Sequence, residues 1–366
     1  MRGIKIVAVV AVMVVVAAGA VILATSGDNE KADGGPVTLT DYLGREVTVI
    51  SSERIISQSS APTAILCGLG ASSNLVGVSS DDEVYAENPY VIGLTQDDFP
   101  QAINDGLGNG TIKALGPMYN MSAETIVSIE SDLVVLDVYG SSPEIRAALD
   151  TLGVTYVVVA VGTIDEIFQT IDILGKAVGK EPAAAKMTSE IKSAIKKISD
   201  WCESIVVNER GGQKFNVALM MTASYAIGPE YIGGEILESL HVENAFSGVG
   251  RYAPVSKESI AQADPDVLIY QNLGMGDGVT DPAAYVQSVY SDPVLGKVSA
   301  AENGLVFTTV GGAKNATSHA NQGIVRAYAI FAMFIYQDYL TFEISDVFDS
   351  DNYIGYMSKF WEMVDS

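Results

Sequence analysis

Two glutamates stand at matching places in two stretches of the chain. Ser122–Asp137 reads SAETIVSIESDLVVLD, and Ser256–Gln271 reads SKESIAQADPDVLIYQ. Ser122 aligns with Ser256, Glu124 with Glu258, Ile126 with Ile260 and Asp132 with Asp266, all at one constant interval. Each stretch reads as a short helix opened by a capping serine, then an acidic turn, then a buried strand. A carboxylate in a first helical turn is favoured by the helix dipole, so each glutamate could serve only its own helix. Carried on two similar lobes, the pair would also present two anions at fixed separation. Such a pair can meet two cationic sites on a partner and set its register.

The residues for covalent or metal chemistry are sparse. The only histidines are His241 and His319, and the only cysteines are Cys67 and Cys202. Both cysteines sit in apolar helical patterns and read as small buried hydrophobes rather than a disulfide; two are too few for a structural zinc site. No serine nucleophile elbow, HExxH, P-loop or CxxC occurs. No catalytic residue and no metal site is assigned, no cofactor is expected, and an extracellular enzyme is the weakest reading. A net charge of −24 argues against nucleic acid, which needs clustered Lys and Arg. Three sequons, at Asn109, Asn120 and Asn315, are of a kind common by chance.

The elements that must position these residues follow from periodicity. The 366 residues suffice for two domains, and 48% hydrophobic content provides a sizeable core. Val37–Val49 alternates on both sides of a Gly-containing turn, which predicts a hairpin. Predicted strands at 54–59, 75–79, 132–138 and 154–161 alternate with predicted helices at 60–69, 122–130, 142–152 and 164–178. The alternation resumes with strands at 215–221, 266–271 and 305–310 and helices at 232–240, 256–263, 282–290, 319–339 and 358–364. Alternation of this kind implies mainly parallel sheets covered on both faces. Residues 81–111 lack a strong period and read as a functional loop or insertion.

Between the two repeats lies Glu181–Val206, EPAAAKMTSEIKSAIKKISDWCESIV. Apolar residues recur at threes and fours, and Pro182 stands at a natural first-turn position. At ~1.5 Å per residue such a helix runs roughly 35–40 Å. It is expected to be a strut joining two α/β lobes.

The N-terminus is separate. Arg2 and Lys5 precede an uncharged apolar run, Ile6–Ala24, close to the ~20 residues a spanning helix needs. Positive residues ahead of it put the N-terminus in the cytoplasm and the body outside. An uncleaved anchor is the favoured expectation; a signal peptide cut near Ala18-Gly19-Ala20 is the alternative, which would leave the body secreted. The expected organisation is 1–27 anchor or signal, 28–53 tether and entry hairpin, 54–180 N-terminal lobe, 181–206 inter-lobe helix and 207–366 C-terminal lobe.

From Val37 to its end the chain resembles the substrate-binding proteins of ABC importers for cobalamin, haem and ferric siderophores (class III periplasmic binding proteins). The resemblance runs through VTLTDYLGREVTV, RIISQSSAPTAILCGLGASSNLVGVSS and LGPMYNMSAETIVSIESDLVVLD. It continues through LGVTYVVVAVGTIDEIFQTIDILGKAVGKE, GGEILESLHVENAFSGVGRYAPVSKESIAQADPDVLIY and SDPVLGKVSAAENGLVFTTV. It implies two Rossmann-like lobes joined by one rigid helix, with a metal chelate held in the cleft between them. It also implies that Glu124 and Glu258 dock on arginines of a permease, which works with its ATPase. Residues 81–111 and the stretch after Tyr339 are longer than in the family pattern. No cysteine follows the apolar run, so the anchor would replace a lipid attachment. A surface-anchored structural or adhesion protein is the alternative reading.

On that reading, ligand contacts belong where strands end and loops face the cleft. The candidates are Ser59, Ser60, Met118, Tyr119 and Asn120 in the first lobe, and Tyr225, Arg251, Tyr252, Asn272 and His319 in the second. Tyr and Met offer flat or adaptable apolar contact to a macrocycle. Arg251 can pair with a carboxylate or phosphate. His319 could ligate a metal centre, cap a helix or face solvent; His241 reads as structural.

Overall fold

The structure, a computed structural model, describes residues 35–80, 99–318, 320–349 and 352–366. The Ile6–Ala24 segment, most of the Asp81–Thr111 region and His319 lie outside or partly outside these residues. Among the described residues, no helix is long and apolar enough to cross a membrane.

The entry hairpin pairs β1 (Val37–Thr40) with β2 (Glu46–Val49) in antiparallel register. Its turn docks on the edge of the first sheet. Tyr42 donates its amide to the Val158 carbonyl at 2.9 Å, and Asp41 Oδ2 accepts the Val158 amide at 3.1 Å. The hairpin thus satisfies an edge strand that would otherwise invite pairing. Arg45 holds Asp41 in place through two hydrogen bonds to Oδ2.

The first lobe is built on a five-stranded parallel sheet, β5-β4-β3-β6-β7. Its strands are β3 (Ile55–Ser57), β4 (Leu75–Val78), β5 (Lys113–Ala114), β6 (Leu133–Asp137) and β7 (Tyr156–Val159). Every residue of β3, β6 and β7 is buried, as sequences such as LVVLD and YVVV require of strands covered on both faces. The helices are α1 (Ser60–Gly68), α2 (Phe99–Asn109), α3 (Ala123–Val127), α4 (Pro143–Thr151) and α5 (Ile164–Ala177). Helix α2 corrects the expectation of an irregular 81–111 stretch in its second half.

Helix α6 (Glu181–Asn208) is the expected strut and runs slightly past Val206. Met187, Ile191, Ala194, Ile198 and Cys202 form its buried stripe. Gly175 of α5 lets α6 approach closely, since a Cβ there would fall 2.4 Å from that of Ala184. On the other side Trp201 meets Tyr336 and Phe360 edge-on, and Ser199 Oγ lies 3.0 Å from His241 Nε2. One continuous core runs from Ile65 and Leu66 through α6 to Tyr328 and Phe331. Cys67 and Cys202 are free and buried in it.

The second sheet has the order β11-β9-β8-β12-β13-β14, with β10 also on β8. β8 (Asn216–Thr222), β12 (Val267–Tyr270), β13 (Val306–Thr309), β14 (Val347–Phe348) and β10 (Glu243–Asn244) are parallel. β9 (Tyr225–Ile227) and β11 (Tyr252–Pro254) are antiparallel. The helices are α7 (Ile232–Ser239), α8 (Lys257–Ala263), α9 (Pro282–Ser291), α10 (Ser299–Glu302), α11 (Gly311–Ser318), α12 (Val325–Ile335) and α13 (Asn352–Val364). The long helix expected over 319–339 is shorter, because α11 and a turn precede the fully buried α12. The C-terminal helix begins earlier than expected, and β14 with α13 covers the sheet edge and the core behind it.

Candidate functional site

The two lobes meet along a seam made by residues that follow strand ends. In the first lobe, β3 and β6 end at a buried polar group. Ser59 donates its hydroxyl to Asp137 Oδ2 at 3.0 Å, and the Tyr139 amide donates to Asp137 Oδ1 at 2.9 Å. Burial, the larger effect, pushes the Asp137 carboxyl above its ordinary range. Ser59 would otherwise cap α1, yet no side-chain cap bond forms there. Gln58 Nε2 ties the carbonyls of Met118 and Gly140 together at 2.9 and 3.0 Å. This brings the Met118–Asn120 turn beside the loop after β6.

From that loop Tyr139 reaches the other lobe. Arg251, which precedes β11, donates Nη1 to Tyr139 Oη at 3.5 Å, and its guanidinium lies 5.1 Å from the Tyr139 ring. The same guanidinium lies 5.5 Å from the ring of Tyr231, and Tyr231 meets Tyr252 edge-on at 6.0 Å. Behind Tyr139 sits Glu166 in the first turn of α5. Its carboxylate accepts from Tyr42 Oη at 2.7 Å, the Gly162 amide at 2.6 Å and Tyr139 Oη at 3.1 Å. Glu166 drives the Tyr42 phenol up to about 12, with burial adding to it. The hydrogen bond to Tyr139 raises Arg251 further, and burial raises Tyr231. A second bond crosses the seam nearby: Glu235 Oε2 of α7 accepts the Ile164 amide at 2.7 Å. Burial pushes the Glu235 carboxyl up, and Asp165, Glu166 and Glu238 add to the rise.

In the second lobe, Asp277 binds two strand ends together. Its Oδ1 accepts from the Gly274 and Val279 amides, both at 3.0 Å, and its Oδ2 accepts from the Ala223 amide at 3.0 Å. The loop after β12 and the β8–β9 turn are therefore one unit. Gly274, Gly276 and Gly278 all take positive φ there, which the tight path requires. Gln322 also joins the two lobes: its Nε2 donates to the Ala64 carbonyl of α1 at 2.7 Å.

Of the residues expected from the sequence, Arg251, Tyr252 and Tyr119 belong to this inter-lobe group; Tyr119 is 71% exposed and its phenol contributes to the field on Tyr231. Met118 and Asn120 stand on the same turn as Tyr119. Tyr225 is exposed as the first residue of β9. Asn272 follows β12 and accepts a hydrogen bond from Ser318 at 2.7 Å. Ser59 and Ser60 are buried, with Ser59 engaged by Asp137. His319 lies outside the described residues. His241 contacts Ser199 of the strut, in keeping with a structural role. Tyr139, Glu166, Tyr42 and Tyr231 were not among the expected residues. Tyr139 could have been found by the same strand-end rule, since it comes just after the buried strand LVVLD. Glu166, Tyr42 and Tyr231 carry no local pattern. Among the described residues no group of three or more His, Cys, Asp and Glu side chains could hold a metal ion.

A family model described as periplasmic binding protein matches residues 55–311, the span that holds both repeats, the strut and most of the seam. The chain belongs to the periplasmic binding protein family. As a member it is a substrate-binding protein of the kind that serves ABC importers, and not an enzyme. An ABC transporter substrate-binding lipoprotein of Bacillus subtilis is 24% identical over 66% of this chain and 70% of its own length. A cobalamin-binding protein of Halobacterium salinarum is 23% identical over 67% of this chain and 61% of its own. Among solved structures, a possible iron-binding periplasmic solute-binding protein of Staphylococcus epidermidis shares the fold. Its TM-score is 0.59 at 24% identity, covering 78% of this chain and 98% of that one. In this periplasmic binding protein the matched glutamates are alike in setting. Ser122 Oγ accepts from the Thr125 amide and Ser256 Oγ from the Ser259 amide, each at 3.1 Å, with Glu124 and Glu258 exposed in the first turns.

Proposed function

We propose that this protein captures a metal chelate outside the membrane, in the cleft between its lobes, and hands it to an ABC permease. The ligand class is a corrinoid, haem or ferric siderophore, with a flat or apolar body and an anionic edge. One observation carries this reading: the exposed Tyr119, Tyr139, Tyr225 and Met275 each follow the C-terminal end of a parallel strand, and the exposed Tyr252 and half-buried Arg251 belong to the same seam. Exposed aromatic and thioether groups of this number are costly to leave in water and suit a broad apolar ligand. The Arg251 side chain makes one hydrogen bond among the described residues, so most of its donors are open to an anionic group.

Delivery would use Glu124 and Glu258, one on each lobe, against cationic sites of the permease. The N-terminal apolar run would keep the body at the outer membrane face, in place of the lipid that the Bacillus subtilis relative's name records. The full chain, purified in detergent, should bind haemin, cyanocobalamin or a ferric hydroxamate with a change in the ligand's visible spectrum. Failure to perturb any of the three spectra at micromolar protein would sink the chelate reading.

A further inference from the structure

The seam contains a charged relay that ligand capture alone does not explain. It begins in the entry hairpin and ends in the opposite lobe: Tyr42, Glu166, Tyr139, Arg251. Glu166 is held by three donors that come from three places in the first lobe: the hairpin, the loop after β7 and the loop after β6. A carboxylate fixed this way has no freedom to swing toward Arg251 and form a direct pair, and none is found. It acts through the Tyr139 hydroxyl instead. That hydroxyl has one proton, and the proton is donated to Glu166. The oxygen's lone pairs are thereby turned toward Arg251 Nη1. The guanidinium also lies over the Tyr139 and Tyr231 rings, so one hydroxyl and two ring faces define its position.

We propose that Glu166 is a positioning residue for ligand recognition: through the Tyr139 hydroxyl it holds the Arg251 guanidinium in the wall between the lobes, aimed at an anionic group on the ligand. An arginine left free loses side-chain entropy each time it binds; one held in place has already lost it. The entry hairpin gains a role by the same chain, because Tyr42 supplies one of the three bonds that fix Glu166. The consequence for ligands rests on the proposed function; the positioning of Arg251 does not.

Two measurements separate these. In the ligand-free full chain, phenylglyoxal labelling of Arg251, read by peptide mass spectrometry against Arg54, should be several-fold faster in Glu166→Gln and in Tyr139→Phe. Tyr139→Phe deletes one partly exposed hydroxyl and keeps the ring, so it guards against misfolding of the first variant. Binding is then compared for haemin and its dimethyl ester, which share a ring and differ in carboxylates. Glu166→Gln and Arg251→Met should each weaken haemin by about tenfold and the ester by less than about twofold. The double variant should be no worse than Arg251→Met alone. Unchanged labelling of Arg251, or equal losses for haemin and ester, overturns the proposal. If the unmodified protein binds neither porphyrin, the haem form of the chelate reading fails, and the labelling rates alone decide the role of Glu166.

Discussion

Asp132 and Asp266 occupy the same place in the two lobes and make the same pair of bonds. Asp132 donates its amide to the Arg54 carbonyl at 2.8 Å and accepts the Arg54 amide on Oδ2 at 3.0 Å. Asp266 does likewise with Asn216, at 2.8 Å in both directions. Each aspartate thus clamps the start of its lobe's first central strand, β3 or β8, to the strand beside it. The residue two before each, Glu130 and Asp264, takes a left-handed φ of 54° and 40°. Only three non-glycine residues do so among those described, and two of them are equivalent in the repeat. The likeness of SAETIVSIESD to SKESIAQADPD is therefore one of structure: cap, short helix, left-handed turn, clamp.

That equivalence predicts equal damage. Asp132→Ala and Asp266→Ala should each cost about 1 kcal/mol, the typical net worth of one intramolecular hydrogen bond. Urea unfolding monitored by circular dichroism would measure it. A loss in one lobe only would mean that the two clamps differ in weight despite matching geometry.

Asp137 gives a pH dependence of opposite sign to the usual one. Its ordinary value is 3.8, and burial raises it in the folded protein. The folded state then prefers the proton more than the unfolded state does. The stabilising contribution is present below 3.8 and is lost as pH rises through the folded value. Asp137→Asn should therefore match or exceed the parent in urea midpoint at pH 7, with the difference vanishing toward pH 3. Asp292 is the control with the reverse sign. The Lys257 ammonium beside it lowers it from 3.8 to about 2, so its contribution is present above 3.8 and fades as pH falls toward 2. Asp292→Asn should be the less stable variant at pH 7 and converge with the parent in acid. An Asp137→Asn protein clearly weaker than the parent at pH 7 would show that its hydrogen bonds outweigh the cost of burying its charge.

Much of this architecture was legible in the sequence, for a physical reason. Strands such as LVVLD and YVVV are buried on both faces and flanked by capped helices, so their apolar runs are unmistakable. Helix α6 spans 28 residues, and its long stripe averages out local noise. What escaped was short or compositionally poor. β9 and β11 have three residues each, too few to display a period. Helices α2 (FPQAINDGLGN) and α11 (GGAKNATS) contain glycines and asparagines that favour turns, and tertiary packing overrides them. Strand-end reasoning names Tyr119, Arg251 and Tyr252 as candidates, and the fold gathers them around Tyr139 and Tyr231. Glu166 and Tyr42 were out of reach, because they join only when the hairpin docks beside β7.

Glu124 and Glu258 predict a split between capture and delivery. Both side chains are exposed, and neither contacts the seam residues, so reversing both to Arg should leave ligand affinity within about twofold. On the docking proposed above, uptake through the permease should be abolished, since two attractions become repulsions. Reconstituted transport and spectroscopic titration on the same preparations test the two halves. Full uptake by the double reversal would remove these glutamates from the docking role.

The strut predicts the opposite pattern, a joint loss. Ile195 lies in the middle of α6, between the buried Ala194 and Ile198. Proline there removes one backbone bond and clashes with the carbonyl of Ile191, at a cost of about 3 kcal/mol or more. A bend at that point turns the face carrying Trp201 and Ser199 away from the second lobe, while α5 still holds the other end. The seam bonds from Arg251 to Tyr139 and from Ile164 to Glu235 would then be mis-set together. Ile195→Pro should retain most of its far-UV dichroism, because both sheets are intact, yet lose chelate affinity and permease stimulation in parallel. Loss of one with retention of the other would mean that α6 does not couple cleft geometry to the spacing of Glu124 and Glu258.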